Sequence, residues 1–201
     1  MNIAARTLIV SWFLFLCVPG VLAQQQLVPF EKEDKWGYRD AQGKVVITPI
    51  FIAAKDFSPE GIAAVVDDAG WAYINRKGTI LVRPFLFDNG PDYFEEGLAR
   101  FTHKGKIGFF DRRGKIVIKP NFDFAAPFHE GLAAFCEGCM ERMREEHGFW
   151  EGGKWGYINR KGKIAIAAQF DSVTNFEKGQ AEVVRKGKSI YINKKGMPLT
   201  E

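Results

Sequence analysis

The sequence is poor in the side chains that carry out chemistry. It has three cysteines and three histidines in 201 residues. A zinc site wants four ligands, and beyond Cys136 and Cys139 the candidates His129 and His147 stand at no standard spacing. No Gly-rich phosphate loop, no Ser/His/Asp arrangement and no carboxylate pair at useful spacing stands out, so no catalytic residue, bound metal or cofactor is expected. Neither charge dominates. Against 28 Lys and Arg stand 24 Asp and Glu, a formal +4, which permits an anionic partner without demanding one. The apolar run Leu8 to Val18, at about 11 residues, falls short of the roughly 20 a membrane span needs.

That run has another reading. Arg6 precedes it, Pro19-Gly20 breaks it, and Val21-Leu22-Ala23 offers the small side chains read by a signal peptidase. Residues 1–23 are therefore expected to be a signal peptide. An uncleaved anchor is the alternative. Cys17 follows Phe15-Leu16, without the small residues of a lipoprotein signal. The expectation is an exported protein, periplasmic or secreted, that starts near Gln24 and has no transmembrane anchor. Cleavage removes Arg6 and Cys17 and leaves Cys136 and Cys139 as the only cysteines.

What the chain has in quantity is glycine, 21 residues, and phenylalanine, 18. Their placement repeats. Lys154-Trp155-Gly156-Tyr157-Ile158-Asn159-Arg160-Lys161-Gly162 has relatives beginning at Lys35, Gly70, Lys106 and, in a worn form, Lys188. Before each copy after the first runs a short strand that opens on Gly61, Gly97, Gly131 or Gly179. In it Ala63, Ala99, Ala133 and Ala181 share a column with the parity of Val65, Phe101, Phe135 and Val183, so both columns point to one strand face. The column between, Ala64, Arg100, Ala134 and Glu182, tolerates charge and is assigned to the outside. In the second strand Trp36, Trp71, Ile107 and Trp155 share a parity with Tyr38, Tyr73, Phe109 and Tyr157. The small residue between them leaves room for a neighbouring backbone. An Asn/Asp-x-x-Gly turn closes a hairpin. A third strand follows, ended by Pro49, Pro84 or Pro120, and then a connector with two Phe.

Each unit thus reads as a three-stranded antiparallel meander, and about five fit the chain. The fold class is all-β: an array of meander repeats, as a propeller-like ring or an open curved solenoid. One β-domain covers 24–201, with units near 27–61, 62–97, 98–131, 132–179 and 180–201. The fourth carries an insertion at 137–153. The last lacks a full third strand, and the stretch Leu27 to Phe30 is a candidate to complete it and close a ring.

The motifs Lys35-Trp36-Gly37-Tyr38 and Lys154-Trp155-Gly156-Tyr157, the Asn-Arg-Lys-Gly turns and the tail Pro120-Asn121-Phe122-Asp123 resemble WG repeats, also called KWG repeats, of many bacterial proteins. Units two, three and five depart at Trp71-Ala72, Ile107-Gly108 and Ser189-Ile190. The resemblance implies a β-repeat protein that acts as an interaction module, and it supplies no catalytic residues.

Three local features are candidate sites. Cys136-Glu137-Gly138-Cys139 is compatible with a structural disulfide, a redox pair or half a metal site; Met140 stands where a c-type haem motif needs His. Met140 to His147 consists of good helix formers, and a turn or two of exposed helix is expected there. Phe149 and Trp150 fall outside the repeat pattern and either bind a partner or fold back on their unit. The pairs Arg76-Lys77, Arg112-Arg113, Arg160-Lys161 and Lys194-Lys195 sit at hairpin tips. If the units stack in register they form a basic rim, suited to a polyanion or simply keeping strand ends soluble. The function expected is an exported non-catalytic binding or scaffolding module, with a thiol-disulfide or thiol-metal protein as the alternative. The partner is an unknown protein or an anionic glycan or envelope component, rather than nucleic acid. N-terminal sequencing of the exported protein is expected to begin near Gln24; Met1 retained on a membrane-bound form would overturn the leader.

Overall fold

Strands account for all the regular structure of the described residues. A computed structural model describes residues 26–144 and 147–199, so the stretch 1–23 expected to be a signal peptide lies outside the described residues. The described residues form nineteen strands and no helix. The first sheet is β1 (Val28–Lys32), β2 (Lys35–Arg39) and β3 (Val45–Phe51). The second is β4 (Ala53–Ala54), β5 (Ile62–Asp67), β6 (Gly70–Asn75) and β7 (Ile80–Val82). A small ribbon follows, β8 (Leu86–Phe87) with β9 (Gly90–Pro91). The third sheet is β10 (Leu98–His103), β11 (Lys106–Asp111) and β12 (Ile116–Phe122). The fourth is β13 (Phe124–Ala125), β14 (Leu132–Arg144), β15 (His147–Asn159) and β16 (Ile164–Phe170). The fifth is β17 (Ser172–Val173), β18 (Gln180–Arg185) and β19 (Lys188–Asn193). Every pairing joins neighbours in sequence and is antiparallel, as short turns dictate.

The meander of each unit follows the predicted columns, but its third strand does not stop at proline. β3 and β12 run through Pro49 and Pro120 to Phe51 and Phe122. They do so by bulging. Phe170 lies opposite Trp155 and Ile166 opposite Tyr157, four residues against two, and the same step occurs in β3 and β12. The bulged backbone presses onto the glycine between the two large residues. A Cβ on Gly156 would stand 2.5 Å from the Ile166 carbonyl oxygen and 2.7 Å from the Ala168 nitrogen; Gly37 and Gly108 face the same crowding. Glycine is required there because no other residue lacks the clashing atom.

Folding back this way sends Phe51, Phe122 and Phe170 into the core, all under 8% exposed. It also lets each inner sheet pack on both faces. One cluster joins Tyr38, Ile47 and Phe51 to Ala63, Val65 and Ile74 of the next unit. Equivalent clusters join the second unit to the third through Phe101 and Phe110, the third to the fourth through Phe109, Phe128 and Phe135, and the fourth to the fifth through Tyr157, Phe176 and Val183. The phenols of Tyr38 and Tyr157, wholly buried, donate to the carbonyls of Lys55 and Thr174, which pins each connector under its own sheet. Burial pushes both phenols well above the usual tyrosine range, so they remain donors at any physiological pH.

Four sequence expectations change. The candidate ring closure is not seen: Val28–Lys32 pairs with Lys35–Arg39 of its own unit, and among the described residues no core cluster joins the first sheet to the last, so they form an open array. The last unit is instead finished by its own tail, with Pro198 bridged to Ile192. The column assigned to the outside is buried at Arg100 and Ala134, because each inner sheet packs on both faces. The helix expected at Met140 to His147 is absent. β14 and β15 keep one register from Leu132↔Asn159 to Arg144↔His147, with the pairing interrupted at Gly138 and 145–146 outside the described residues. So short a helix is marginal alone, whereas each residue added to an existing hairpin joins a ladder already aligned.

Gly156→Ala is expected to lower stability by about 1–3 kcal/mol, the usual range for overpacking, read as a reduced urea midpoint. An unchanged midpoint would show that the third strand can move aside.

Candidate functional site

The hairpin tips are built alike. In the second unit the Asn75 side-chain oxygen accepts the backbone N–H groups of Lys77 and Thr79, at 2.9 and 3.1 Å. Asp111, Asn159 and Asn193 repeat both bonds. The closing residue takes φ of 74 to 79° in all four, which glycine adopts without strain. Each of these glycines rests on the third strand of the unit before it: Gly78 on Ile47, Gly162 on Ile118 and Gly196 on Ile166, with Gly114 on Leu81. The repeated seating places the tips along one edge of the array.

Within that edge the two members of each basic pair differ. The first turns back to its neighbours. Arg76 and Arg112 lie over the rings of Phe57 and Phe94, 5.2 Å from each centroid. Arg160 donates to the Glu96 carbonyl at 2.6 Å. Lys194 donates to the Glu130 carbonyl at 2.9 Å and pairs with its carboxylate at 3.0 Å. The Lys194 hydrogen bond and the Gly179 N–H hold Glu130 below the usual carboxylate range. The second members, Lys77, Arg113, Lys161 and Lys195, are exposed and form no salt bridge among the described residues. The members of each basic pair thus differ in their contacts rather than in exposure: Arg112, Arg160 and Lys194 are exposed as well, but each is tied to a neighbouring ring, carbonyl or carboxylate. Between β12 and the Lys161-Gly162 tip runs a shallow groove of about 440 Å³.

Cys136 and Cys139 form a disulfide with Cα atoms 6.0 Å apart. It spans a kink in the long hairpin where Gly138, Gly152 and Gly153 all have positive φ. Cys136 is fully buried and Cys139 nearly so. The Asp123 carboxylate accepts the Gly138 N–H at 2.6 Å and also holds Lys106, so the kink is tied to the connector as well. Beyond it, Trp150 folds back: its ring stacks on Phe124 at 4.9 Å. Phe149 is 37% exposed. The side chain of His147 lies outside the described residues. Among the described residues no three His, Cys, Asp or Glu gather as a metal site.

Sequence reasoning missed the buried pair Asp92 and Arg100. The Arg100 guanidinium donates to both Asp92 oxygens, at 2.9 and 2.7 Å, and to the Ala125 carbonyl. It lies over Phe85 at 4.4 Å and Phe124 at 5.7 Å. The pair anchors an irregular crossing. Unit two has Ala72 where units one, three and four have glycine, and β7 ends at Val82 instead of folding back. The chain crosses early through the Pro84↔Phe101 bridge and makes the β8–β9 excursion, which leaves Leu86 and Phe87 exposed. The repeated ion pairs Lys106–Asp123 and Lys154–Asp171 were also missed, although the signal is present as Lys ahead of the second strand and Asp after the third.

Replacing Cys136 and Cys139 together by Ser is expected to leave the array folded and to speed amide exchange only within 136–153. The small loop contributes well below the roughly 3 kcal/mol of a 15-residue loop. Global unfolding of that variant would contradict the local role.

A family model described as WG containing repeat matches residues 36–71, 71–106, 107–138 and 155–188, more than half of the chain. Comparison with curated proteins finds no match. Three solved chains match. One, from a crystal structure of the eukaryotic initiation factor, is 11% identical, with a TM-score of 0.36 over 88% of this chain and 52% of that one. This chain therefore spans about half of that chain's length, and a likeness this distant carries no argument.

Proposed function

The chain belongs to the WG containing repeat family, and from that premise we propose that it is an exported, non-catalytic binding module whose tip edge engages an anionic component of the cell envelope. The observation that carries this reading is the set of exposed cations Lys77, Arg113, Lys161 and Lys195, each carried on a copy of one turn and neutralised by no salt bridge among the described residues. Rigid turns on a stacked scaffold hold the charges in place before binding, so little conformational entropy is lost on contact. The extent of the array matters too: several weak exposed charges add up only when they meet the same partner together. The export leader read from residues 1–23 supports the envelope as the setting.

The thiol reading is less well supported. Both sulfurs are buried, whereas exchange requires an attacking thiolate to reach one of them. The disulfide accordingly serves as a pin for the hairpin.

Reversing Arg113 and Lys161 to Glu is expected to leave the melting temperature within about 2 °C, since surface changes of this kind stay within ±0.5 kcal/mol. The same variant should elute from heparin at clearly lower salt than the parent, because exposed charges are screened. Equal retention of variant and parent would overturn the basic-edge reading.

A further inference from the structure

The tip edge carries more than charge. After each turn glycine, the third strand opens on a β-branched apolar residue that faces solvent: Val45, Ile80, Ile116 and Ile164 are 43–59% exposed. In the first and third units the next residue, Val46 or Val117, is exposed as well. Only the following position, Ile47, Val82, Ile118 or Ile166, turns into the core. Lys44, Lys115 and Lys163 stand immediately before the apolar residue in three of the four units. A single exposed isoleucine needs no explanation. Four at the same register position of consecutive units, three of them next to a lysine, make a stripe.

The core does not need these side chains. Its clusters are filled from the third-strand position two residues on, and polar residues at the strand openings would serve solubility better. Because each tip rests on the preceding unit's third strand, the apolar residues follow the tips along one edge. Stacked sheets lie about 10 Å apart, so four units set a row roughly 30 Å long.

The chemistry of the row selects a partner. A soluble polyanion offers binding energy to cations but none to exposed Val and Ile. An anionic bilayer surface offers both, with phosphates for the lysines and the upper hydrocarbon for short apolar side chains. We infer that the tip edge docks peripherally on an anionic lipid surface, with Ile80, Ile116 and Ile164 entering the head-group layer and the flanking cations on the phosphates. This rests on the basic-edge reading and narrows it to one class of partner.

The test uses the leaderless chain, vesicles of phosphatidylcholine with and without one quarter phosphatidylglycerol, and heparin as a purely ionic control. The parent is expected to sediment with the anionic vesicles and not with the neutral ones. Ile116→Ser/Ile164→Ser should partition roughly tenfold more weakly, since each change removes one buried apolar group, while heparin retention and the melting temperature stay unchanged. Val45→Ser/Ile80→Ser provides a second variant should the first fold poorly. Undiminished vesicle binding by the serine variants overturns the inference and leaves a purely ionic edge. Heparin retention without any vesicle binding also overturns it, with a glycan-like partner then favoured. Retention of the parent on polyglutamate, lost in the serine variants and without vesicle binding, would point to an acidic protein and overturn it too. Loss of both heparin and vesicle binding removes the basic-edge reading itself.

Discussion

The contact on which the array depends is that of one backbone against another, where the third strand of a unit bulges onto the glycine of its second strand. At Gly37, Gly108 and Gly156 the opposing carbonyl and amide nitrogen occupy the place a Cβ would take. That approach lets four residues of the third strand face two of the second and brings the following Phe back over the sheet. The sheet so formed is covered on one side by its own third strand and connector, and on the other by the unit before. Fully burying one such Phe is worth roughly 1.5–3 kcal/mol, and each interface gathers several. The stack is therefore held by nearest-neighbour interfaces, the regime expected of repeat proteins.

The second unit shows what happens when that contact is lost. With Ala72 in place of glycine the strand cannot fold back, and the chain crosses to the next sheet early. The vacated crossing is filled by Arg100, which meets Asp92 and lies between the rings of Phe85 and Phe124. A buried pair of this kind is weak evidence for added stability, but removing one partner strands a charge and costs about 3–5 kcal/mol. Ion pair, excursion and exposed Leu86 and Phe87 all accompany the early crossing.

The same stacking rule positions the functional edge. Each turn glycine sits on the third strand of the unit before it, so turns alike in chemistry follow one another along the array. The basic pairs then divide by geometry. Arg76, Arg112, Arg160 and Lys194 reach back to Phe rings or connector carbonyls. The second members, Lys77, Arg113, Lys161 and Lys195, form no salt bridge among the described residues, and the apolar residues that the core leaves outside follow them in sequence.

The sequence alone determined the repeat, its strands, the turn chemistry and the parity of the large columns, because period-two patterning and Asn/Asp-x-x-Gly turns act over a few residues. It also located both cysteines and all four tips. Tertiary structure decided the rest. Whether Arg100 faced water depended on a second sheet covering its face, and whether Pro49 ended a strand depended on a bulge over a glycine ten residues or more away in the chain. Whether 140–147 was helix or strand turned on a ladder already aligned from Leu132, which local helix propensity does not register. Which cation of each pair stayed free depended on connectors that arrive from other units. Those outcomes arise from contacts between segments distant in sequence, and periodicity within a segment carries no record of them.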